Sequence, residues 1–598
     1  MTIWFNRTGL KAGAASLAAV SLAGCAAIAS LNDAVAEPEA AEPVADQPAP
    51  LAGPVTDALL ENPPAESWLM WRGNHKSWGY SALDQVNLDN VGDLDLAWSV
   101  VMDPGSSQPT PLVHDGVLYL PNSKDHITAH DATSGDLIWS YKHERTGEVW
   151  GSGDITRNMA IYDGKIFHAA GDARLIALDA KTGELIWDTL TGDPAITTHS
   201  SGPIVGGGRV FSGRVCRYAP PARCNVMAHD AQTGELLWKT DVIPSPGEPG
   251  DESWNGIPFE ERAHGSTWLP GSYDAELNLL YWPTSGPSPS PEAMRDNIPA
   301  DMRYTNSTLA LDPATGEIKW DVQHLPRDNW DTDHTYERIL VDAEVRPDAD
   351  SVWKVNPDLP EGTKKLITGI PGKTGIVWTI DRETGEFYWA KQTTFQNVVA
   401  DIDGETGKVT VNEESVLTEI EGEPKLVCPS MAGGRDWYAG AYAPEAKTMF
   451  MPMLNLCMDV VASPKDPRYG LLPKFVKTPG EEHLGRLEAI DVETGETRWI
   501  NESRHGVLSV LSTGGDLLFA GDTNRRFRAY DQATGDVVWE TILGGPVSGF
   551  PISYAVNGEQ YIAVAAGSGG AVPLWAMLSG VRSLPPGGNA LYVFKLGE

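Results

Sequence analysis

The chain has 598 residues, with 21 tryptophans, 61 glycines and a formal net charge of −36. Such a charge argues against a nucleic-acid binder, whose partner calls for a basic surface. It suits plain solubility, or the steering of a basic protein partner.

At the N-terminus, Arg7 and Lys11 precede an apolar run that ends in Leu22-Ala23-Gly24-Cys25, the form of a secretory signal. The four residues resemble a bacterial lipobox, which makes Cys25 the lipidated first residue and 1–25 the signal. Ala26 after the cysteine points to the outer rather than the inner membrane. Ordinary secretion, with cleavage at a nearby small residue, is the other reading. Residues 26–65 are Ala, Pro, Glu and Asp with almost no aromatics, so they are expected to stay a flexible acidic tether. Beyond them no segment has the 18 or so uninterrupted apolar residues of a membrane helix.

From residue 66 to 598 one unit recurs. AHDATSGDLIW (129–139) returns as ALDAKTGELIW (177–187), AHDAQTGELLW (228–238), ALDPATGEIKW (310–320), TIDRETGEFYW (379–389), AIDVETGETRW (489–499) and AYDQATGDVVW (529–539). In every copy a Trp follows the Asp by eight positions. The apolar residues before the Asp read as a strand. Asp-x-x-Thr-Gly reads as a hairpin turn, with the carboxylate capping it and Gly supplying a positive φ. The next strand ends on a Trp able to wedge between neighbouring sheets, its N–H finding a partner there. A four-stranded sheet repeated every 40–50 or so residues is the pattern of a β-propeller blade. Copies three to six are further apart, so those blades carry long insertions.

Five cysteines are present. With Cys25 assigned to lipid, four remain in an oxidising compartment. The expected pairs are Cys216 with Cys224 and Cys428 with Cys457. No CxxCH haem motif and no CxxC zinc-type pair occurs.

SWLMWRGNHKSWGYSALDQVNLDNVGDLDLAW (67–98) begins the folded part. With LPRDNWDTD (325–333), GKTGIVWTIDRETG (372–385), CPSMAGGRDWYAGAYAPEAKTMFMPMLNLCMD (428–459) and SLPPGGNALYVF (583–594), it resembles the PQQ-dependent (quinoprotein) alcohol dehydrogenases. The resemblance covers about 66–598. It implies an all-β, eight-bladed propeller with Trp-docking repeats, in which the strand ending at Trp98 closes the ring. It also implies oxidation of an alcohol by pyrroloquinoline quinone, beside a calcium or lanthanide ion, with electrons passed to a separate cytochrome c or similar carrier. The family's paired cysteines match Cys428 and Cys457.

Such chemistry needs hard oxygen ligands, a base, a flat floor for the cofactor and cations for its carboxylates. The resemblance places the base on Asp331 and an extra metal carboxylate on Asp333. It places the cofactor floor on Trp268, the cation near the quinone oxygens on Lys373, and the arginine holding a cofactor carboxylate on Arg157. Each has a plainer reading: a solvated turn, a packing Trp, a loop Lys. Departures are as informative. SGRVCRYAPPARCNVMAHD (212–230) has no acidic residue where the family has a metal-binding glutamate, and Arg217 or Tyr218 is the nearest match. Gly286 stands for the metal-binding Asn, Asp436 for an Asn, and Gly151-Ser152-Gly153 for a vicinal cysteine pair.

Two accounts follow. Arg217 supplies the positive charge of the metal, pairing with Asp331 or a cofactor carboxylate; or the site has decayed and the lipid-anchored propeller is a binding or assembly scaffold. A Trp-rich propeller lipoprotein of outer-membrane assembly shares the leader and repeats but lacks 67–98 and the CPS…CMD segment. No Ser-His-Asp or two-carboxylate arrangement marks a hydrolase, and Thr198, His199 and Ser200 read as a polar loop. The expectation is a lipid-anchored periplasmic PQQ-dependent alcohol oxidoreductase.

Overall fold

The computed structural model describes residues 53–147, 149–582, 584 and 588–597. Cys25, the signal and most of the tether lie outside them. The described chain is all-β. Eight sheets are each built on four antiparallel strands, spanning residues 112–142, 160–190, 204–241, 272–323, 339–392, 441–503, 507–542 and, with one strand from 94–101, 552–596; Lys354–Val355 adds a fifth strand to the fifth sheet and Tyr80–Ser81 a parallel one to the seventh. In the first four sheets and the sixth the four strands lie in sequence order, so each is a meander of hairpins. In the eighth sheet the fourth strand comes from far away: Leu94–Val101 pairs antiparallel with the C-terminal strand Ala590–Leu596.

The repeat explains the sheets. Before each Asp runs the third strand, such as His126–Asp131 or Arg174–Asp179, buried along its middle because its sheet is covered on both faces. The Asp then caps the turn. Asp131 Oδ1 accepts the backbone N–H of Thr133 at 2.8 Å and of Ser134 at 3.0 Å, and Asp179 does the same for Lys181 and Thr182. Apolar clusters fill the space between neighbouring sheets: Tyr119 and Trp139 of the first meet Phe167 and Ile176 of the second.

Five tryptophans donate to the turn of another sheet. Trp139 Nε1 donates to the Ala180 carbonyl at 3.0 Å, Trp187 to Ala231 at 3.4 Å, Trp238 to Pro313 at 3.0 Å and Trp499 to Gln532 at 2.8 Å. Trp98, in the eighth sheet, donates to Ala132 in the first at 3.2 Å. Each acceptor is the residue just after the repeated Asp. The turn glycine lies against the same ring: a Cβ on Gly183 (φ +72°) would sit 2.5 Å from Trp139 Cε3. Glycine therefore serves two demands at once, backbone and contact. Gly183→Ala is expected to cost about 2–4 kcal/mol, as left-handed strain plus overpacking. Gly558 (φ +83°) has nothing within 4 Å of its Cβ position, so Gly558→Ala should cost only the backbone share, about 1–2 kcal/mol. Urea midpoints of the two variants test this; equal losses would remove the Trp contact from the account.

The tether ends earlier than the sequence reading placed it. Thr56 caps a short helix, Asp57–Glu61, and Val55 and Leu60 are buried. Asp57 accepts from the Tyr162 hydroxyl and the Gly207 N–H. Two apolar side chains, these two contacts and the Asp163 N–H on the Val55 carbonyl at 2.8 Å anchor a segment whose composition reads as unstructured. Both expected disulfides are formed, Cys216–Cys224 and Cys428–Cys457. No helix among the described residues is long and apolar enough to cross a membrane.

Candidate active site

The loop between the fourth and fifth sheets holds the string LPRDNWDTD. Asp328 organises it. Its Oδ1 accepts the Trp330 N–H (2.9 Å) and the Thr332 hydroxyl (2.7 Å), and its Oδ2 accepts the Thr332 N–H and the Asn306 amide (both 3.0 Å). Trp330 is fully buried and its indole donates to the Ser415 carbonyl at 2.9 Å. Pinned on both sides, Asp331 adopts φ +58°, an uncommon conformation for a residue with a side chain. Such strain, held by its surroundings, clusters at functional positions.

The strained turn delivers two carboxylates to one ammonium. Lys373 Nζ donates to the Asp331 carbonyl at 2.8 Å, to Asp331 Oδ2 at 3.1 Å and to Asp333 Oδ2 at 2.9 Å. Its backbone N–H donates to the Asp333 carbonyl at 2.9 Å, tying the two loops together. Gly372 permits the approach, since its Cβ position is taken by His334 and the Asp333 carbonyl. Two carboxylates and one ammonium leave one negative charge buried. Burial, with Asp333 and Asp328 nearby, therefore pushes the Asp331 carboxyl well up, and both carboxylates hold the Lys373 ammonium in its charged form.

Beside this triad lie the other expected residues. Asp436 Oδ1 accepts the Trp437 N–H at 2.9 Å and faces the Tyr336 hydroxyl at 3.4 Å; burial raises its carboxyl. Tyr336 meets Trp268 edge-on, ring centres 6.1 Å apart. Over the Trp268 ring, 4.9 Å from its centre, sits the Arg157 guanidinium. Arg157 is buried and bonds only neutral oxygens: the Ser200 carbonyl at 2.8 Å and the hydroxyls of Ser200 and Ser201. Burial pulls its pKa down to about 9, and its Nε has no partner. Ser200, read from the sequence as part of a polar loop, is thus the anchor of this arginine.

Arg217 is not brought to the group. Its side chain is exposed, while the next residue, Tyr218, turns inward and stacks on His264 at 4.3 Å. The Tyr218 hydroxyl lies 3.2 Å from that of Tyr469, and both phenols feel Asp331 and Asp333. The cation that meets Asp331 is Lys373. Val215–Cys216 pairs with Thr197–Thr198 with both side chains buried; the chain then leaves the strand at Arg217, which is exposed, and bends at Tyr218, whose ring packs on His264.

Several residues carry no motif and were not singled out by sequence. Gln108, Thr110 and Thr156 lie on the segments flanking Arg157, joined by the Ser107–Thr156 bridge and the Thr110 N–H to the Arg157 carbonyl. Both amide atoms of Gln108, the Thr110 and Thr156 hydroxyls and the Trp437 indole N–H are buried without a partner. So many unsatisfied polar atoms beside one buried guanidinium mark a place built for a polar ligand.

A family model described as "Glucose/ethanol/alcohol dehydrogenase, beta-propeller domain" matches residues 68–405 and 480–562. The chain belongs to the PQQ-dependent alcohol dehydrogenase family. Quinohemoprotein alcohol dehydrogenase of Comamonas testosteroni is 32% identical over 530 residues, covering 83% of this chain and 72% of that protein. Lupanine 17-hydroxylase [cytochrome c] of a Pseudomonas species is 30% identical, covering 89% and 77%. A europium-containing methanol dehydrogenase superposes with a TM-score of 0.80 at 25% identity, over 90% of this chain and all of that one. In this PQQ-family chain, Asp331, Asp333, Lys373, Asp436, Trp268 and Arg157 gather at one site.

Proposed function

We propose that this chain is a PQQ-dependent dehydrogenase that oxidises an alcohol and passes the electrons to a separate carrier such as a cytochrome c. The eight sheets are read as eight blades of one propeller docked by their tryptophans. Contact of Trp98 in the eighth sheet with the turn of the first supports that reading. The leader supports a lipid-anchored, periplasmic protein.

The observation that carries the functional reading is the unsatisfied polar shell around Arg157 and Trp268. It fits a flat, multiply charged anion. Arg157 would hold a carboxylate, Trp268 would support the ring plane, and Gln108, Thr110 and Thr156 would complete the hydrogen bonds. When bound, the quinone supplies the acceptor for the hydride that leaves the alcohol carbon. The protein's part is to take the hydroxyl proton. Asp331 Oδ is the acceptor, and its raised pKa makes it a better base than a surface carboxylate. Lys373 Nζ holds that carboxylate in place by donating to both the Asp331 carbonyl and Asp331 Oδ2. The rings of Tyr218 and Tyr469, which meet edge-on with centres 4.7 Å apart, narrow the approach and shed water from the reacting atoms.

Titrating the purified protein with PQQ while following Trp fluorescence and dye reduction with short alcohols tests the proposal. Binding with turnover is expected. Absence of binding under every condition leaves a propeller that acts as a scaffold. Arg157→Met should weaken PQQ binding by about 10- to 100-fold, the worth of one charge-assisted hydrogen bond. Unchanged affinity would move the carboxylate site elsewhere.

A further inference from the structure

A calcium or lanthanide ion is held by six or more oxygens, several of them anionic. The residues of this site do not supply that set. Among the described residues no group of three or more His, Cys, Asp or Glu is placed to hold a metal ion. Gly286 carries no side-chain oxygen, and the space its Cβ would enter is taken by the Asp328 carboxylate. Both oxygens of Asp328 are spent on its own loop and on Asn306. At the neighbouring wall stands Tyr218, a neutral phenol whose hydroxyl pairs with Tyr469 and whose ring lies against His264. What remains is Asp331 and Asp333, and one ammonium already joins them. Lys373 has three N–H donors. All three are accounted for by Asp331 O, Asp331 Oδ2 and Asp333 Oδ2.

We infer that Lys373 is the resident cation of this site, bridging Asp331 and Asp333, and that the quinone is taken up without a divalent or trivalent metal ion. This inference rests on the PQQ reading above. A cation reaching the two carboxylates must displace an ammonium that is buried, hydrogen-bonded three times and of like charge. A fixed Lys also needs no loading step, and its stem is anchored by the backbone bond to Asp333. The role assigned to Arg217 from sequence therefore falls to Lys373, from the fifth sheet's loop. Lys373 acts here as a positioning residue, setting the charge and place of the base.

The test measures PQQ affinity of the full-length protein by Trp fluorescence after chelator dialysis, in EDTA, in Ca²⁺ and in La³⁺. The three dissociation constants are expected to agree within threefold. Tightening beyond threefold by either metal overturns the inference and leaves the quinone reading intact. No quenching in any condition overturns both. A second arm uses Lys373→Met and Lys373→Arg, each first shown by far-UV circular dichroism and melting to be folded. In EDTA, Lys373→Met should bind PQQ at least tenfold more weakly, with Ca²⁺ or La³⁺ now restoring affinity at the freed carboxylates. Lys373→Arg should bind within threefold of the parent. Lys373→Met that binds as tightly as the parent in EDTA overturns the inference. If Lys373→Met does not fold, the metal series on the parent and on Lys373→Arg decides alone.

Discussion

Asp331→Asn is expected to oxidise alcohols about a thousandfold more slowly while binding PQQ within threefold of the parent. The loss is the middle of the range for removing a general base. Asparagine keeps the shape of the side chain, and its amide oxygen still accepts from Lys373, but it cannot take the hydroxyl proton. Lys373 keeps Asp333 as a charged partner at 2.9 Å, so no buried charge is stranded and the loop persists. The turn itself is held by Asp328, which the substitution does not touch. Steady-state rates with a dye acceptor, beside a PQQ titration of the same sample, give both quantities. A variant within tenfold of the parent would place the base elsewhere, and Asp436 or Asp333 would be the next to replace.

The repeat was legible in sequence because its physics is local. Asp to N–H bonds span two or three residues, and the Trp follows at a fixed offset, so seven copies announce seven turns. Even the inter-sheet contact is foreshadowed, since the turn glycine and the ring that packs on it recur together. The active site was legible only through resemblance. Asp331 and Lys373 are 42 positions apart, and nothing near either one predicts the left-handed turn that brings them within 3.1 Å. That turn depends on Asp328, which by itself reads as an ordinary loop carboxylate.

Three errors have definite causes. Choosing Arg217 over Tyr218 followed charge, whereas direction is set by the bend with which the chain leaves the short strand Val215–Cys216. Charge chemistry names a candidate, but a shift of one residue sends it to the opposite face. Missing Gln108, Thr110 and Thr156 has another origin. Their significance is the absence of partners in the folded state, and an unsatisfied amide has no sequence pattern. The N-terminal boundary failed similarly: the segment from Val55 is poor in apolar residues, but Val55 and Leu60 are buried against sheets distant in sequence.

Acid is expected to unfold this protein steeply below about pH 6, well before most carboxylates titrate. The cause is a set of buried neutral histidines. Burial lowers the pKa of His199 and His334 to about 3 and of His229 and His264 to about 4, and drives His324 well below its ordinary value. His264 and His199 lie 2.8 Å from the carbonyls of Cys216 and Gly213, while His229 and His324 each keep a buried ring nitrogen without a partner. In the unfolded chain each takes a proton near pH 6.5, and in the folded chain none does. A histidine with a depressed folded pKa favours folding above its unfolded pKa and opposes it as pH falls below that value. Asp331 and Asp436 act in the opposite sense, because their folded pKa values are raised and they bind protons in the native state. Five histidines against two carboxylates leave about three protons in excess on the unfolded chain. The slope is then about 4 kcal/mol per pH unit between roughly pH 6 and pH 4.5, enough to exhaust a typical stability of 5–15 kcal/mol within two or three units. Urea midpoints followed by Trp fluorescence at pH 7.5, 6.5, 5.5 and 4.5 measure it. His199→Gln should lower the slope by about one proton, near 1.4 kcal/mol per unit, whatever it does to stability at neutral pH. A midpoint that stays level from pH 7.5 to 4.5 would mean that these rings charge inside the fold, and that the interior around them is far more polar than its hydrogen bonds show.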